Sequence, residues 1–173
     1  QIKDFKQDIG EELNKVTVII EEHNPQLKGV LSSIDFDIKN KLPDQKLQDL
    51  LSHFSCFSLR SENFEDQNIM GEISEYLIKN FVDSAGGQGG EFYTPNQVAK
   101  LLVSLIKPSE DMKIYDPTVG FGGMLTAARK YLIDHKKNPS KLFLYGQELN
   151  RDIWTICKMN MFLHGVFDAD IKN

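Results

Sequence analysis

The sequence predicts an α/β protein in which a helical part comes first and a parallel sheet follows. Apolar residues recur every three or four positions through much of residues 1–83, which is the spacing of amphipathic helices. Over residues 92–173, short apolar runs alternate with helical patterns instead. Strand–helix–strand–helix within about 50 residues predicts a right-handed βαβ unit and a parallel sheet. We expect this sheet to be incomplete, because two strands cannot bury both faces of an α/β layer.

Composition narrows the class of protein. The chain has 173 residues, of which 40% are hydrophobic and 26% charged, and its net charge is −5. These values are typical of a soluble globular protein, and the negative charge argues against a broad basic surface that binds nucleic acid by itself. No apolar run approaches the roughly 20 residues that span a bilayer and no signal peptide is visible, so we expect a cytoplasmic protein without membrane contact. The two cysteines and four histidines are scattered, and no metal site is predicted.

Three helices are predicted before residue 84. The first ends near Pro25, because proline disfavours helix in the residue before it, and the second begins near Pro43. The third runs through "NIMGEISEYLIKNFV", and residues 31–42 fit either an extended connector or a frayed helix. The apolar faces of the three helices consist of Phe5, Ile9, Leu13, Val16 and Ile20; of Leu47, Leu50, Leu51 and Phe54; and of Met70, Ile73, Leu77 and Phe81.

The stretch "SAGGQGGE", residues 84–91, marks the predicted domain boundary. It has four glycines in five positions, which is typical of a mobile hinge. We therefore predict a helical domain over residues 1–83, a Gly-rich hinge over 84–91 and an incomplete sheet-containing domain over 92–173. Because the chain begins at Gln1 and stops within the α/β pattern, we expect it to be a fragment of a longer protein.

A helix is predicted directly after the hinge. In "YTPNQVAKLLVSLI", Thr94 is a candidate N-cap, Pro95 suits the first helical position and Gln97 completes a T-x-x-Q capping box. One apolar face of this helix consists of Val98, Leu101, Leu102 and Leu105.

Two strand–helix pairs complete the pattern. "MKIY", residues 112–115, is the first predicted strand, and a helix from Gly123 to Asp134 follows it. "KLFLYG", residues 141–146, is the second strand, and Asn150 is predicted to cap the next helix. The inward side chains of the two helices are predicted to be Leu125, Ala128 and Leu132, and Ile153, Ile156, Cys157 and Met161.

Two acidic residues lie where these strands end and define a candidate site. Asp116 ends the first strand and Glu148 follows the second. Ligands of open parallel sheets bind outside the carboxyl ends of the strands, so both acids are expected to face one crevice. Between them, Gly120, Gly122 and Gly123 allow the chain to pass close to a ligand.

The glycine spacing excludes the common phosphate-binding loops. A Walker A loop needs a lysine after the glycines, a dinucleotide fingerprint needs G-x-G-x-x-G, and Asp116 would repel a pyrophosphate. A ligand with a ribose and a cationic end fits better, because Glu148 can accept hydrogen bonds from both ribose hydroxyls and Asp116 suits a sulfonium. S-adenosylmethionine (SAM) has these parts and no phosphate. Two alternatives stay open: a tight βα connection without a ligand, and a Glu148 that only favours the helix dipole.

A resemblance to a known family sharpens this prediction. "IMGEISEYLIKNF", "GGEFYTP", "DPTVGFGGML" and "GQELN" make residues 68–165 resemble the modification (methyltransferase) subunits of type I restriction–modification systems. These are SAM-dependent N6-adenine DNA methyltransferases with a Rossmann-like domain. The resemblance implies that Glu91, Phe92, Tyr93, Thr94 and Pro95 would cover the methionine end of the cofactor, that Asp116, Pro117, Gly120, Gly122 and Gly123 would form its floor, and that Glu148 would hold the ribose. For the ring of Tyr93, packing against the protein is an equally open alternative.

The resemblance also has implications beyond these residues. The catalytic motif of the family, Asn-Pro-Pro-aromatic, receives the flipped adenine and does not occur in this sequence. We therefore expect part of a SAM site here, catalytic residues beyond Asn173 and a fragment that is inactive alone. The implied partners are DNA, a specificity subunit that takes two modification subunits, and a restriction subunit. Two other hypotheses stay open: a SAM-dependent methyltransferase for a substrate other than DNA, and a helical interaction module with a degenerate cofactor domain.

Overall fold

The structure, a computed structural model, describes residues 7–58, 69–85, 91 and 93–173. It divides into two compact units, Gln1–Gln67 and Asn68–Asn173. Along the described residues, no helix is both long enough and apolar enough to span a membrane. The predicted site residues all belong to the second unit.

In the first unit, a carboxylate at the start of one helix binds the start of the helix before it. Asp44 accepts hydrogen bonds from the backbone N–H groups of Asp8 (3.0 Å) and Ile9 (3.1 Å), which lie where the preceding helix begins and have no partner within that helix. Residues 31–42 form turns and irregular backbone. The unit consists of α1 (Ile9–His23), a 3₁₀ turn (Pro25–Leu27) and α2 (Asp44–Ser55), around a core of Ile9, Leu27, Val30 and Leu47.

The second unit contains a parallel sheet, and the predicted α/β fold is confirmed. Its strands follow the order β1–β2–β3. Asp116 pairs in register with Gly146, and Gln147 pairs with Lys172, so the carboxyl ends of all three strands lie at one edge. In chain order the elements are α3 (Ile69–Ala85), α4 (Asn96–Ile106), β1 (Lys113–Asp116), α5 (Gly123–Asp134), a 3₁₀ turn (Pro139–Lys141), β2 (Phe143–Gln147), α6 (Arg151–Leu163) and β3 (Asp170–Lys172).

The third strand, β3, has no counterpart among the predicted elements. It is three residues long and carries a single buried apolar side chain, Ile171, so its sequence pattern is too short to be distinctive. The carbonyl of Ile171 accepts a hydrogen bond from the indole Nε1 of Trp154 at 2.9 Å, which fastens β3 to α6. Among the described residues, the sheet therefore has one strand more than the two that the sequence pattern predicts.

The two helices that follow strands agree with the sequence pattern. α5 begins and ends at the predicted residues, and the three side chains predicted to face inward are all buried. α6 begins directly after the predicted cap, Asn150, whose Oδ1 accepts hydrogen bonds from two backbone N–H groups of the first turn. The buried side chains that confirm the two predicted faces are Leu125, Ala128 and Leu132, and Ile153, Cys157 and Met161, with Ile156 partly buried.

Asn150→Ala is expected to destabilise the protein by about 1 kcal/mol, because the N–H groups of Asp152 (3.0 Å) and Ile153 (3.2 Å) lose their acceptor. Urea unfolding measures the change in free energy. Asn138→Ala is the matched control, since Asn138 accepts a similar bond from Ser140 N (3.0 Å) at a three-residue 3₁₀ turn. A loss as large for the control as for Asn150→Ala would contradict a capping role.

The start of α4 differs from the prediction. The helix begins one residue after Pro95, which occupies the N-cap position with φ −54° and ψ 137° and no side-chain cap. The carbonyl of Pro95 already accepts hydrogen bonds from the N–H groups of Val98 (2.9 Å) and Ala99 (3.0 Å). The predicted capping box of Thr94 and Gln97 is therefore wrong.

Small residues contribute to the packing of α3 and α4, whereas most residues of their predicted apolar faces are exposed. α4 lies against α5 through its buried Ala99 and Val103. α3 lies against α6 through Gly71 and Ser74, because small side chains let two helix backbones approach closely. The residues of the predicted apolar faces that are instead exposed are Ile20, Leu50, Phe54, Ile73, Leu77, Phe81, Val98, Leu101, Leu102 and Leu105.

α3 belongs to the second unit because it packs against α6. The division between the compact units falls after Gln67, whereas the predicted boundary falls after residue 83. Residues 86–90 of the predicted hinge lie outside the described residues, as do Phe5 and Phe92. The hinge therefore stays a prediction.

Candidate functional site

Glu148 lies at the carboxyl edge of the sheet and joins two turns. It is only 8% exposed. Its carboxylate accepts hydrogen bonds from the backbone N–H groups of Gly120 (Oε2, 3.2 Å) and Asn150 (Oε1, 2.8 Å). The first bond crosses from the turn after β2 to the Gly-rich turn after β1, residues 119–122. The structure thus brings Glu148 and Gly120 together and fixes the two turns to each other.

Asp116 lies at the end of the neighbouring strand. Its side chain accepts a hydrogen bond from the backbone N–H of Thr118 (3.1 Å), which closes a short turn around the exposed Pro117. In the sheet, Asp116 pairs with Gly146, two positions before Glu148. The two acids therefore follow adjacent strands at one edge of the sheet.

A β-turn forms the Gly-rich segment after β1. The N–H of Gly122 donates to the carbonyl of Val119 at 2.8 Å, and φ is 53° at Gly120 and 85° at Gly122, a conformation that favours glycine. A Cβ added to Gly122 would overlap the terminal methyl of Met161 and lie 3.1 Å from the Sγ of Cys157. Burial raises the pKa of the Cys157 thiol to about 12, so this group packs as a neutral side chain. Backbone conformation and packing both require glycine at position 122.

The stretch before α4 approaches the Gly-rich turn at one point. A Cβ added to Gly123 would lie 3.9 Å from the carbonyl oxygen of Thr94. Tyr93 packs against a buried cluster that contains Phe121, which favours the packing role for its ring. The other predicted residues of this stretch are Glu91 and Pro95, which are exposed, and Phe92, which lies outside the described residues.

Three residues absent from the predicted site hold the Gly-rich turn in place. Phe121 is buried beside Ile78 of α3 and Ile153 of α6. Its carbonyl accepts a hydrogen bond from the Nδ2 of Asn160 at 2.8 Å, and the Oδ1 of Asn160 accepts one from the hydroxyl of Ser74, also at 2.8 Å. Phe121, Asn160 and Ser74 therefore connect the turn to both helices.

An apolar side chain is exposed directly beside the buried carboxylate. Leu149 is 93% exposed, although its neighbour Glu148 is buried. The backbone here is fixed, because the carbonyls of Glu148 and Leu149 accept hydrogen bonds from the Nδ2 of Asn173 at 2.8 and 3.1 Å. Leu149 thus presents an apolar surface at the same edge of the sheet as the two acids.

Comparison with known proteins assigns these residues to a family. A sequence model described as N-6 DNA Methylase matches residues 65–173, which include the sheet and every predicted site residue. The chain belongs to the N-6 DNA methylase family. The family match confirms the resemblance carried by the four sequence motifs.

Several N-6 DNA methylase relatives are subunits of type I restriction enzymes. The chain is 30% identical over 151 residues to the HindI methylase subunit of Haemophilus influenzae, covering 85% of this chain and 34% of that protein. It is 31% identical over 168 residues to the MjaIX methylase subunit of Methanocaldococcus jannaschii, covering 95% and 29%. A crystal structure of a type I restriction-modification system methyltransferase subunit from Streptococcus thermophilus matches with a TM-score of 0.75 at 26% identity, covering 94% and 35%. The chain therefore spans about a third of the length of these relatives.

In this member of the N-6 DNA methylase family, Glu75 of α3 and His164 after α6 form a pH-sensitive contact. The His164 Nε2 lies 3.4 Å from Glu75 Oε1, and this hydrogen bond holds the pKa of Glu75 below its ordinary value of 4.5. A carboxylate with a lowered folded-state pKa contributes stability that is present above its unfolded pKa and lost as pH falls through the folded value.

Acidification below pH 4.5 is therefore expected to reduce the free energy of unfolding more steeply in the unsubstituted protein than in Glu75→Gln. The difference should be small, because the Glu75 side chain is 47% exposed and solvent screens the pair. Urea unfolding at a series of pH values measures both slopes. Equal slopes would show that the contact does not contribute to stability.

Proposed function

We propose that this chain is part of the modification subunit of a type I restriction–modification system and carries part of the SAM site of that subunit. The observation that carries the proposal is the hydrogen bond between Glu148 and Gly120. It joins a buried acid to a Gly-rich turn at the edge where open parallel sheets bind their ligands. The family match and the names of the relatives support methyl transfer as the chemistry.

The residues at this edge suit the parts of SAM. An ionised carboxylate offers about four acceptor positions. Two positions on Glu148 are taken by the N–H groups of Gly120 and Asn150, and the others can accept from the hydroxyls of a ribose. The exposed side chain of Leu149 offers apolar contact to an adenine ring. Asp116 favours a cationic sulfonium and disfavours a phosphate.

The proposed reaction transfers a methyl group from sulfur to nitrogen. The S–CH₃ bond of SAM breaks as the lone pair of the adenine N6 amino group forms the new C–N bond. S-adenosylhomocysteine leaves, and the nitrogen releases a proton. In this reaction the residues of this chain bind and orient the cofactor, while the groups that receive the flipped adenine are proposed to lie outside residues 1–173.

DNA recognition is proposed to depend on partners. The proposed assembly has a specificity subunit that reads the DNA, two modification subunits and a restriction subunit. The net charge of −5 supports this division of labour, because binding to the phosphate backbone requires lysine and arginine side chains.

A methyl-transfer assay tests the proposed function. The full-length protein and its specificity subunit are incubated with DNA and with SAM that carries a labelled methyl group. The label is expected in N6-methyladenine. Label in RNA or protein but not in DNA would favour a methyltransferase for another substrate. Failure of the same protein to bind SAM would favour a helical interaction module.

A further inference from the structure

A buried hydrogen-bonded relay connects α3 to the Gly-rich turn through α6. The side chain of Asn160 is 3% exposed and lies between the hydroxyl of Ser74 and the carbonyl of Phe121, each at 2.8 Å. A backbone carbonyl can only accept hydrogen bonds, so the amide nitrogen of Asn160 must face Phe121. Its oxygen then faces Ser74, which donates. The relay is therefore satisfied at both ends in one orientation only.

The relay holds a specific peptide group of the turn. The carbonyl of Phe121 and the N–H of Gly122 belong to the same peptide unit, and that N–H donates to Val119 at 2.8 Å. Asn160 thus fixes one side of the unit, and the turn fixes the other. Gly120 and Gly122, both at positive φ, lack the Cβ atoms that restrict rotation in other residues. The hydrogen bond from the side-chain amide of Asn160 therefore restrains the backbone of a turn in which the glycines themselves restrict rotation little.

Close packing of α3 on α6 makes the relay geometrically feasible. A Cβ added to Gly71 would lie 2.7 Å from the ring of His164, so a larger residue there would push the helices apart. Ser74 lies one turn further along α3 and reaches Asn160 because of this close approach. Phe81, two turns further on, meets Phe121 edge to face, with ring centroids 6.3 Å apart.

We infer that Asn160 is a positioning residue for the cofactor site, and that Ser74 orients it. Asn160 sets the position of the Gly-rich turn, and the turn in turn donates from Gly120 to the carboxylate of Glu148 at 3.2 Å. If the turn moved, the N–H of Gly120 would move with it. The Glu148 carboxylate that binds this N–H would then no longer be positioned to accept from the ribose hydroxyls. The inference rests on the proposed SAM site and extends it to residues that touch no cofactor.

Three substitutions in the full-length protein test the inference. Asn160→Ala is expected to raise the Kd for SAM about tenfold, and Ser74→Ala about threefold, because Asn160 then keeps its bond to Phe121. Trp154→Phe is the matched control, since it removes a buried hydrogen bond from the same helix to the carbonyl of Ile171 and not to the turn. Amide hydrogen exchange of the turn in the absence of SAM is expected to be faster in the first two variants and unchanged in the control.

The outcomes separate positioning from general destabilisation. The inference is overturned if Trp154→Phe weakens SAM binding as much as Asn160→Ala at an equal loss of thermal stability. It is also overturned if exchange of the turn stays unchanged in Asn160→Ala or, should that variant not fold, in Ser74→Ala. If the unsubstituted protein binds no SAM, the proposed function fails, whereas the exchange rates still decide whether Asn160 holds the turn.

Discussion

Glu148→Ala is expected to weaken SAM binding by about 1.5–3 kcal/mol, which is tenfold or more, and also to destabilise the protein by about 1–3 kcal/mol. Affinity falls because charge-assisted hydrogen bonds to the ribose hydroxyls are lost. Stability falls because the N–H groups of Gly120 and Asn150 lose their acceptor. Isothermal titration calorimetry measures the first effect, and urea unfolding measures the second.

Glu110→Ala is the matched control for this substitution. Glu110 also joins two loops of the same sheet, since it accepts hydrogen bonds from Asn138 N (2.9 Å) and Lys141 Nζ (3.0 Å), but it does so at the amino ends of the strands. We expect Glu110→Ala to leave the affinity for SAM unchanged. An unchanged affinity for SAM in Glu148→Ala would instead show that Glu148 only joins the two turns and does not bind the cofactor.

Gly122→Ala is expected to destabilise the protein by about 2–5 kcal/mol, through backbone strain of about 1–2 kcal/mol and overpacking of about 1–3 kcal/mol. The strain arises because φ at this residue is 85°. The overpacking arises because the new Cβ would meet Cys157 and the end of Met161, both of which are buried. The flexible end of Met161 can give way in part, but the strain remains. Thermal unfolding followed by circular dichroism measures the loss.

Gly123→Ala isolates the effect of position 122 from that of adding a methyl group to the same segment. Gly123 is the first residue of α5, and the nearest atom to an added Cβ is the carbonyl oxygen of Thr94 at 3.9 Å, an ordinary contact. Its backbone has no positive φ. We expect little change in stability. Equal losses for the two variants would contradict the requirement for glycine at 122.

The sequence was most informative where several local signals agree. α5 follows a Gly-rich turn and carries three apolar residues in helical spacing, so both its start and its buried face could be predicted. α6 has a strong capping residue, Asn150, and its side chain makes the predicted bonds. The acids could be placed at the sheet edge because Asp116 ends one predicted strand and Glu148 follows the other.

Packing partners could not be read from periodicity. A stripe of large apolar residues predicts which face of an isolated helix is apolar, but the small residues Ala99 and Gly71 lie on the sides that α4 and α3 bury. Tertiary contact decides between the two faces. β3 was missed because three residues with one buried side chain give no periodic signal.

The hydrogen bonds that connect Ser74 and Asn160 to the Gly-rich turn could not be predicted, for a different reason. Asn160 interrupts the apolar face of α6 between Cys157 and Met161, and a polar residue at such a position signals a buried hydrogen bond. The partners of Asn160 could not be predicted from the sequence, because Ser74 lies 86 positions away and Phe121 lies 39 positions away. Contacts at such separations become visible only in the folded chain.

The carboxyl ends of β1 and β2 are proposed to form a SAM site. This proposal can be tested by titrating SAM into isotope-labelled protein and following the backbone amide signals by NMR. We predict saturable shifts at Gly120, Gly122, Glu148 and Leu149, with no shift at Glu110, which lies at the amino ends of the strands. The absence of saturable shifts, or shifts that spare these four residues, would contradict the claim.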